Sequence, residues 1–428
     1  MKDDCCMPDS GPNGDQFDIA VTGAGSAGFS AAITAAEAGK RIALIGHGTI
    51  GGTCVNVGCV PSKAMIRAAE TIHGAEAAKR FPGVSGTAQV DDWATLVAGK
   101  DALVTGLRQK KYADLLPGYD GITYIDEGAA KLVEGGVMVG GRMITAPKVI
   151  IATGGRPALP PIPGIADVPT LDSTSLLALE RLPESLIFLG GGYIGAELAQ
   201  MMARMGVKVT VVCRSRLELT ADHLVVTAGR SPNTEGLGLA GMGIETDTRG
   251  AIIVGDDMQT TRPGDYAAGD VTDRDQFVYM AAYGAKLAAR NAFGGAERYD
   301  NAAMPWVVFT DPQVAGVGLT EAQARDVGHE VKTSVLALDN VPRAMAARDT
   351  RGLIKLVADA RTDRLLGGVI AAPEGCDSVQ TLAMALKFGM TTKALGATIF
   401  PYLTTVEGVR LAAQTFERDV ATLSCCAG

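Results

Sequence analysis

Two stretches of this 428-residue chain run from an apolar strand through a GxGxxG turn into a helix-forming segment. In the first, Phe17–Thr22 reads as a strand, Gly23-Ala-Gly25-Ser-Ala-Gly28 follows, and an Ala-rich helix runs to Gly39 before the strand Arg41–Ile45. In the second, Ile187-Phe-Leu leads into Gly190-Gly-Gly192-Tyr193-Ile-Gly195 and a helix, with Lys208–Val212 as the next strand. That order carries physical meaning. A helix entered through glycines presents free N–H groups and its positive dipole end to a pyrophosphate, and glycine lets the backbone come close to it. Two such units imply two nucleotides and an α/β chain. The 54 glycines and 5% aromatic content suit many tight turns, and 47% apolar residues suffice for sizeable cores in two or three domains.

Other classes are disfavoured by the same sequence. A net charge of −8 without any Lys/Arg cluster speaks against a nucleic-acid or anionic-membrane partner. No apolar run approaches the ~20 residues of a spanning helix, and the N-terminus lacks an apolar signal core. The expectation is a cytoplasmic enzyme. Residues 1–16 are polar and rich in Gly and Pro, and read as a disordered arm.

The cysteines narrow the chemistry. Six of the eight fall in close pairs, Cys5/Cys6, Cys54/Cys59 and Cys425/Cys426, with Cys213 and Cys376 alone. In a reducing compartment such pairs point to catalysis or metal binding rather than a structural framework. Cys54 and Cys59 follow a Gly-Gly turn and precede a probable helix. A thiol near a helix N-terminus has its thiolate stabilised and becomes a nucleophile or metal ligand. Cys5-Cys6 is either an accessory thiol pair or an incidental dipeptide.

The segment GGTCVNVGCVPSK, residues 51–63, resembles the redox-active disulfide segment of the flavoprotein disulfide reductases, which include glutathione reductase, dihydrolipoamide dehydrogenase and mercuric reductase. Further matches run from about residue 17 to the end of the chain. The resemblance implies that Cys54 is the exchanging thiol, that Cys59 lies against the flavin, and that Lys63 approaches its reactive nitrogen. It assigns FAD to the first fingerprint, through Gly23, Gly25, Gly28, Gly52, Thr53 and Lys63, with Thr153, Gly154 and Asp270 from later turns. The second fingerprint, Gly190, Gly192 and Gly195, takes the nicotinamide cofactor; Tyr193 covers its pocket and Glu197 pairs with Lys63. Arg214 and Arg216 stand at the end of the following strand with no acid, so NADPH is favoured over NADH, because a 2′-phosphate needs positive partners. The implied domains are an FAD domain (17–168 and 235–303), an NADPH domain (169–234) and an α+β dimerisation domain (304–428).

Three departures from the family pattern stand out. Gly46 occupies the place of the acid that holds the ribose, about 20 residues beyond the glycines. After the strand end with Arg214 and Arg216 only Leu217–Ala221 intervene before the segment Asp222–Arg230 that carries the turn Thr227-Ala-Gly229, where family members carry on the order of 60 residues, so the NADPH domain is cut short. A parallel strand pair needs a crossover of about a dozen residues, so either these strands pair differently or the layer is damaged. Finally, Tyr402 takes the place of the acid–base His of an H-P-T-x-x-E segment, with Glu407 kept. All four histidines, His47, His73, His223 and His329, lie before this segment. A phenol with pKa ~10 is a poor base at neutral pH, which disfavours disulfide reduction.

Adjacent Cα atoms, ~3.8 Å apart, make a Cys425–Cys426 disulfide strained, and paired thiolates suit a soft metal. With Tyr402, this tail resembles the mercuric reductase branch of the family. That branch implies a homodimer in which Cys425 and Cys426 of one subunit pass Hg(II) to Cys54 and Cys59 of the other, with Tyr402 and Glu407 beside the path. The alternatives are an NADPH-dependent disulfide reductase and a weakly catalytic soft-metal thiol protein.

Overall fold

The computed structural model describes residues 15–213 and 219–422. The chain forms two compact units. The first comprises Met1–Ala64, Asp92–Pro183 and Ala221–Tyr299; the second comprises Met65–Asp91, Glu184–Thr220 and Asp300–Gly428.

The first unit is built on a five-stranded parallel sheet in the order Asp265–Ala267, Val149–Ile151, Ile19–Thr22, Ile42–Ile45, Ile122–Ile125. Its central strands are almost wholly apolar, Thr22 being the exception, because both faces are covered. Ile19, Val21, Ile42, Leu44 and Ile150 face one core, with the helices Ser26–Glu37 and Val278–Ala292. These helices meet through Ala31, Ala32 and Ala35 on one and Ala285, Ala288 and Ala289 on the other, small residues that allow close approach. The alternate residues Ala20, Ala43, Ile45, Val149 and Ile151 face a second core with Leu132, Val137 and Ile144. Those last three belong to an antiparallel meander, Lys131–Val133, Gly136–Val139 and Arg142–Thr145. The period of two along each strand thus divides one sheet between two cores.

The strand His223–Val226 answers the question posed by the shortened segment. It pairs in parallel with Thr170–Leu171, Leu224 opposite Thr170 and Val225 opposite Leu171. More than 50 residues separate these partners, so the crossover that a parallel pair requires is present.

The second unit contains the parallel pair Ser185–Leu189 and Lys208–Val212, connected by the helix Tyr193–Arg204. It also contains a five-stranded antiparallel sheet ordered Pro305–Val308, Gln313–Gly318, Leu365–Ala372, Leu353–Asp359, Val331–Ala337. The helices Gly375–Lys387 and Glu407–Gln414 pack their apolar stripes on that sheet through Val379, Leu382, Val409 and Ala412. Among the described residues no helix is long and apolar enough to cross a membrane.

Candidate active site

The cysteine segment is docked on the first fingerprint by glycines. Gly51 and Gly52 adopt left-handed φ values of 97° and 68°, which glycine reaches without a Cβ penalty. The Gly51 N–H donates to Ala24 O at 2.8 Å. A Cβ on Gly52 would lie 2.6 Å from the Gly25 Cα, so the two glycine turns touch backbone to backbone.

From Gly52 a short helix runs to Asn56, and Cys59 opens the 19-residue helix Cys59–Ala77. Asn56 fixes the turn: its Nδ2 donates to Ile50 O and Gly52 O, both at 2.9 Å, and Arg108 Nη1 donates to its Oδ1 at 3.1 Å. The side chains of Cys54 and Cys59 are each half-buried. The hydrogen bond between their side chains pushes the Cys54 thiol above its ordinary range, burial adds to this, and Lys63 pulls the other way. Negative charge gathered on sulfur at Cys59 meets the positive end of a long helix.

Tyr112 is a site residue that sequence reasoning missed. Its hydroxyl lies 3.3 Å from Ser26 Oγ, its ring meets Phe29 edge-on at 4.9 Å, and the charges of Cys54 and Cys59 help raise its pKa, although burial is the larger cause. It sits just past the helix Trp93–Lys111, more than 50 residues from the cysteines, with no local motif to flag it.

The first fingerprint fits a dinucleotide. Gly23 has φ 111°, and a Cβ there would overlap Ala152 O; one on Gly28 would overlap Gly23 O. No side chain caps the helix Ser26–Glu37 at Gly25, leaving its first N–H groups for a phosphate. The later turns close around one another. Thr153 Oγ1 donates to Asn233 O at 2.7 Å, and Asn233 Nδ2 donates to Thr153 O at 3.0 Å beside Gly154. Asp270 accepts from Arg230 Nε at 3.1 Å, and Gly155 would carry a Cβ 3.3 Å from the Asp270 Cβ. Thr53 is exposed on the short helix.

In the second unit, Gly190 has φ 109° and its N–H donates to Val212 O at 3.1 Å. Gly192 caps the helix that Tyr193 begins, Gly195 is buried within it, and a Cβ on Gly192 would meet nothing within 4 Å. Tyr193 is 45% exposed, and its ring meets Trp306 edge-on at 6.0 Å. Glu197 is buried and accepts from the Phe309 N–H at 3.0 Å.

Tyr402, 53% exposed, stands on a turn held from inside. The next residue, Leu403, has φ 61°, and its N–H donates to Glu407 Oε2 at 3.2 Å; Glu407 is 1% exposed. Of the histidines, His73 lies 3.7 Å from Asp311 and His329 2.7 Å from Asp359, and neither shares the Tyr402 turn. Arg214, Arg216, Cys425 and Cys426, like Cys5 and Cys6, lie outside the described residues.

A dithiol mounted on one dinucleotide turn, with a second such turn and an antiparallel C-terminal sheet elsewhere in the chain, defines a flavin- and nicotinamide-dependent dithiol oxidoreductase. The chain belongs to the pyridine nucleotide-disulphide oxidoreductase family, whose pattern matches residues 17–219 and 213–289, with the family's dimerisation domain at 304–413. FAD and NADPH are the cofactors of this family and its mercuric reductases. It is 41% identical to a mercuric reductase of Streptomyces lividans, over 96% of this chain and 98% of that one, and 42% identical to one of Shigella flexneri, over 96% and 82%. Among solved structures it resembles the Cu(II) complex of the HOCl-induced flavoprotein disulfide reductase RclA from Escherichia coli. There the TM-score is 0.82 at 28% identity, covering 94% of this chain and all of that one.

The first of these alignments spans 469 positions, more than the chain's 428 residues, so the relative carries internal residues absent here. The family pattern breaks into its two pieces around 213–219, where the sequence runs short.

Proposed function

We propose that this chain reduces Hg(II) to Hg(0) with electrons from NADPH, working as a homodimer in the cytoplasm. The observation that carries the reading is the Cys54–Cys59 pair, two thiols in hydrogen-bond contact on a turn fastened to the first fingerprint. Thiolates select soft cations, and these two are close enough to ligate the same ion.

The residues have distinct tasks. Cys425 and Cys426 of the partner subunit take Hg(II) from its thiol complexes and hand it to Cys54 and then Cys59, each sulfur losing a proton as it ligates. Asn56 and Arg108 hold the turn so that the two sulfurs stay within reach of one ion. Lys63 offsets the negative charge that gathers on them. The chemistry FAD would supply when bound is two-electron transfer from NADPH to the metal, so that one Hg(II) and one NADPH would give Hg(0), NADP⁺ and a proton. The glycine turn Gly23–Gly28 and the Asp270 turn hold that cofactor, and Tyr193 covers the nicotinamide pocket. Arg214 and Arg216 meet the NADPH 2′-phosphate.

Tyr402, on the turn pinned by Glu407, lines the path of the metal. Each thiolate displaced from Hg(II) takes up the proton that the incoming thiol gives up, so no separate acid has to supply one, which agrees with the absence of His from that turn. Steady oxidation of NADPH by Hg(II), with release of mercury vapour and no turnover of oxidised glutathione, is the expected result. Glutathione turnover without vapour would favour the disulfide reductase instead.

A further inference from the structure

The missing ribose carboxylate leaves a question that the neighbouring strand answers. The dinucleotide fingerprint places an acid at the end of its second strand, where the carboxylate bonds a ribose hydroxyl. Here that strand, Ile42–Ile45, ends in the buried Gly46, which has no side chain to offer. The space is nonetheless filled. A Cβ built on Gly46 would overlap the hydroxyl of Tyr124 and come within 2.8 Å of the ring carbons Cε2 and Cζ.

Tyr124 belongs to Ile122–Ile125, the parallel neighbour of Ile42–Ile45, and stands opposite Leu44. Its ring packs against the core shared with Ile42, Leu44 and the helix Ser26–Glu37, while its residue stays half-buried. No hydrogen bond joins its hydroxyl to another of the described residues. An oriented, partly desolvated hydroxyl without a protein partner is costly unless something else satisfies it. Burial raises the Tyr124 pKa, with Asp126 adding to it, so the phenol is neutral throughout the working range and both donates and accepts.

We propose that the Tyr124 hydroxyl replaces the absent carboxylate and bonds the adenosine ribose of FAD. Gly46 and Tyr124 are then one exchange: an acid lost from one strand and a phenol supplied from the next into the same volume. The substitution trades a charge-assisted hydrogen bond for a neutral one, which is weaker.

The test is a fluorescence titration of apoprotein with FAD and with an FAD analogue whose adenosine carries 2′,3′-dideoxyribose, for the wild type and Tyr124→Phe. The ring is kept in the variant, so packing is preserved, and thermal melting of the apoprotein checks this. Tyr124→Phe is expected to weaken FAD about 5–10-fold and to leave binding of the dideoxy analogue unchanged, since the two deletions remove the same bond. Equal affinity of wild type and variant for FAD, or equal losses with both flavins, overturns the proposal. The inference rests on the first unit binding FAD. Wild-type apoprotein that takes up no FAD would defeat that premise itself, whereas uptake insensitive to Tyr124→Phe defeats only the role of the phenol.

Discussion

The two glycine fingerprints carry nearly the same letters and lead different structural lives. Around the first, the strands Ile19–Thr22 and Ile42–Ile45 are buried along their whole length, and Gly25 touches Gly52 of the cysteine turn. Around the second, Gly192 faces open space, and Tyr193, Ile194 and Val211 are 45%, 36% and 43% exposed. The first turn is a structural joint on which the dithiol is mounted; the second is a landing surface. The difference comes from the chain beyond each fingerprint. The first is continued by further strands of the same sheet, with two helices on one face and a meander on the other, while the second runs into a sequence that has lost residues its relatives keep. A cofactor retained through many turnovers suits the first, and one that arrives and leaves suits the second.

The contrast can be broken most forcefully at Gly23. Gly23→Ala puts a methyl group into Ala152 O at φ 111°, and the purified variant is expected to be colourless, with flavin content below a tenth of wild type by absorbance. Full flavin occupancy would show that the first joint is looser than its packing says. The corresponding change in the second unit, Gly192→Ala, has room for its methyl group. It is expected to keep FAD and melting temperature and to raise the KM for NADPH by about tenfold through crowding of the pyrophosphate, from a wild-type value expected toward the upper end of the ~1 μM–1 mM range. A micromolar KM in the wild type would contradict the weakened second surface.

Two smaller effects probe order inside the second unit. Glu407→Gln loosens the turn that carries Tyr402 by weakening the bond from Leu403 N–H. A charge-assisted bond reduced to a neutral one is worth about 1 kcal/mol, so Hg(II)-dependent turnover is expected to fall about fivefold, with NADPH-driven flavin reduction unchanged in stopped flow.

The smallest effect belongs to Asp349, whose carboxylate receives Arg351 and Arg80 at 2.7 Å and is held down to about 2. A carboxylate depressed in the folded state stabilises above its unfolded pKa of ~3.9 and loses that contribution as pH falls through the folded value. Asp349→Asn is therefore expected to cost about 0.5 kcal/mol at pH 7, the partners being partly exposed. In urea denaturation the cost should shrink between about pH 4 and pH 2.

How far the sequence reaches depends on whether the determining contacts are local. The strand Lys208–Val212 is read from sequence with its actual limits, because apolar pattern and flanking turn residues act within a few positions. The pairing of His223–Val226 with Thr170–Leu171 was not legible, since nothing near either strand names its partner. Tyr112 and Tyr124 were invisible for the same reason. Each reaches its place from a distant part of the chain, one beside the cysteines and one beside Gly46, and a lone tyrosine carries no pattern. Gly46 itself was legible as a departure; the phenol that fills its space was not.

The most direct measurement is an anaerobic assay in which NADPH oxidation and mercury vapour are recorded together, for the wild type and Cys54→Ala. Coupled thiols working as proposed give one Hg(0) for each NADPH consumed in the wild type, and at least a hundredfold less vapour in the variant while its flavin still accepts electrons from NADPH. Vapour released equally by both proteins, or none from a flavin-loaded wild type, would contradict the account.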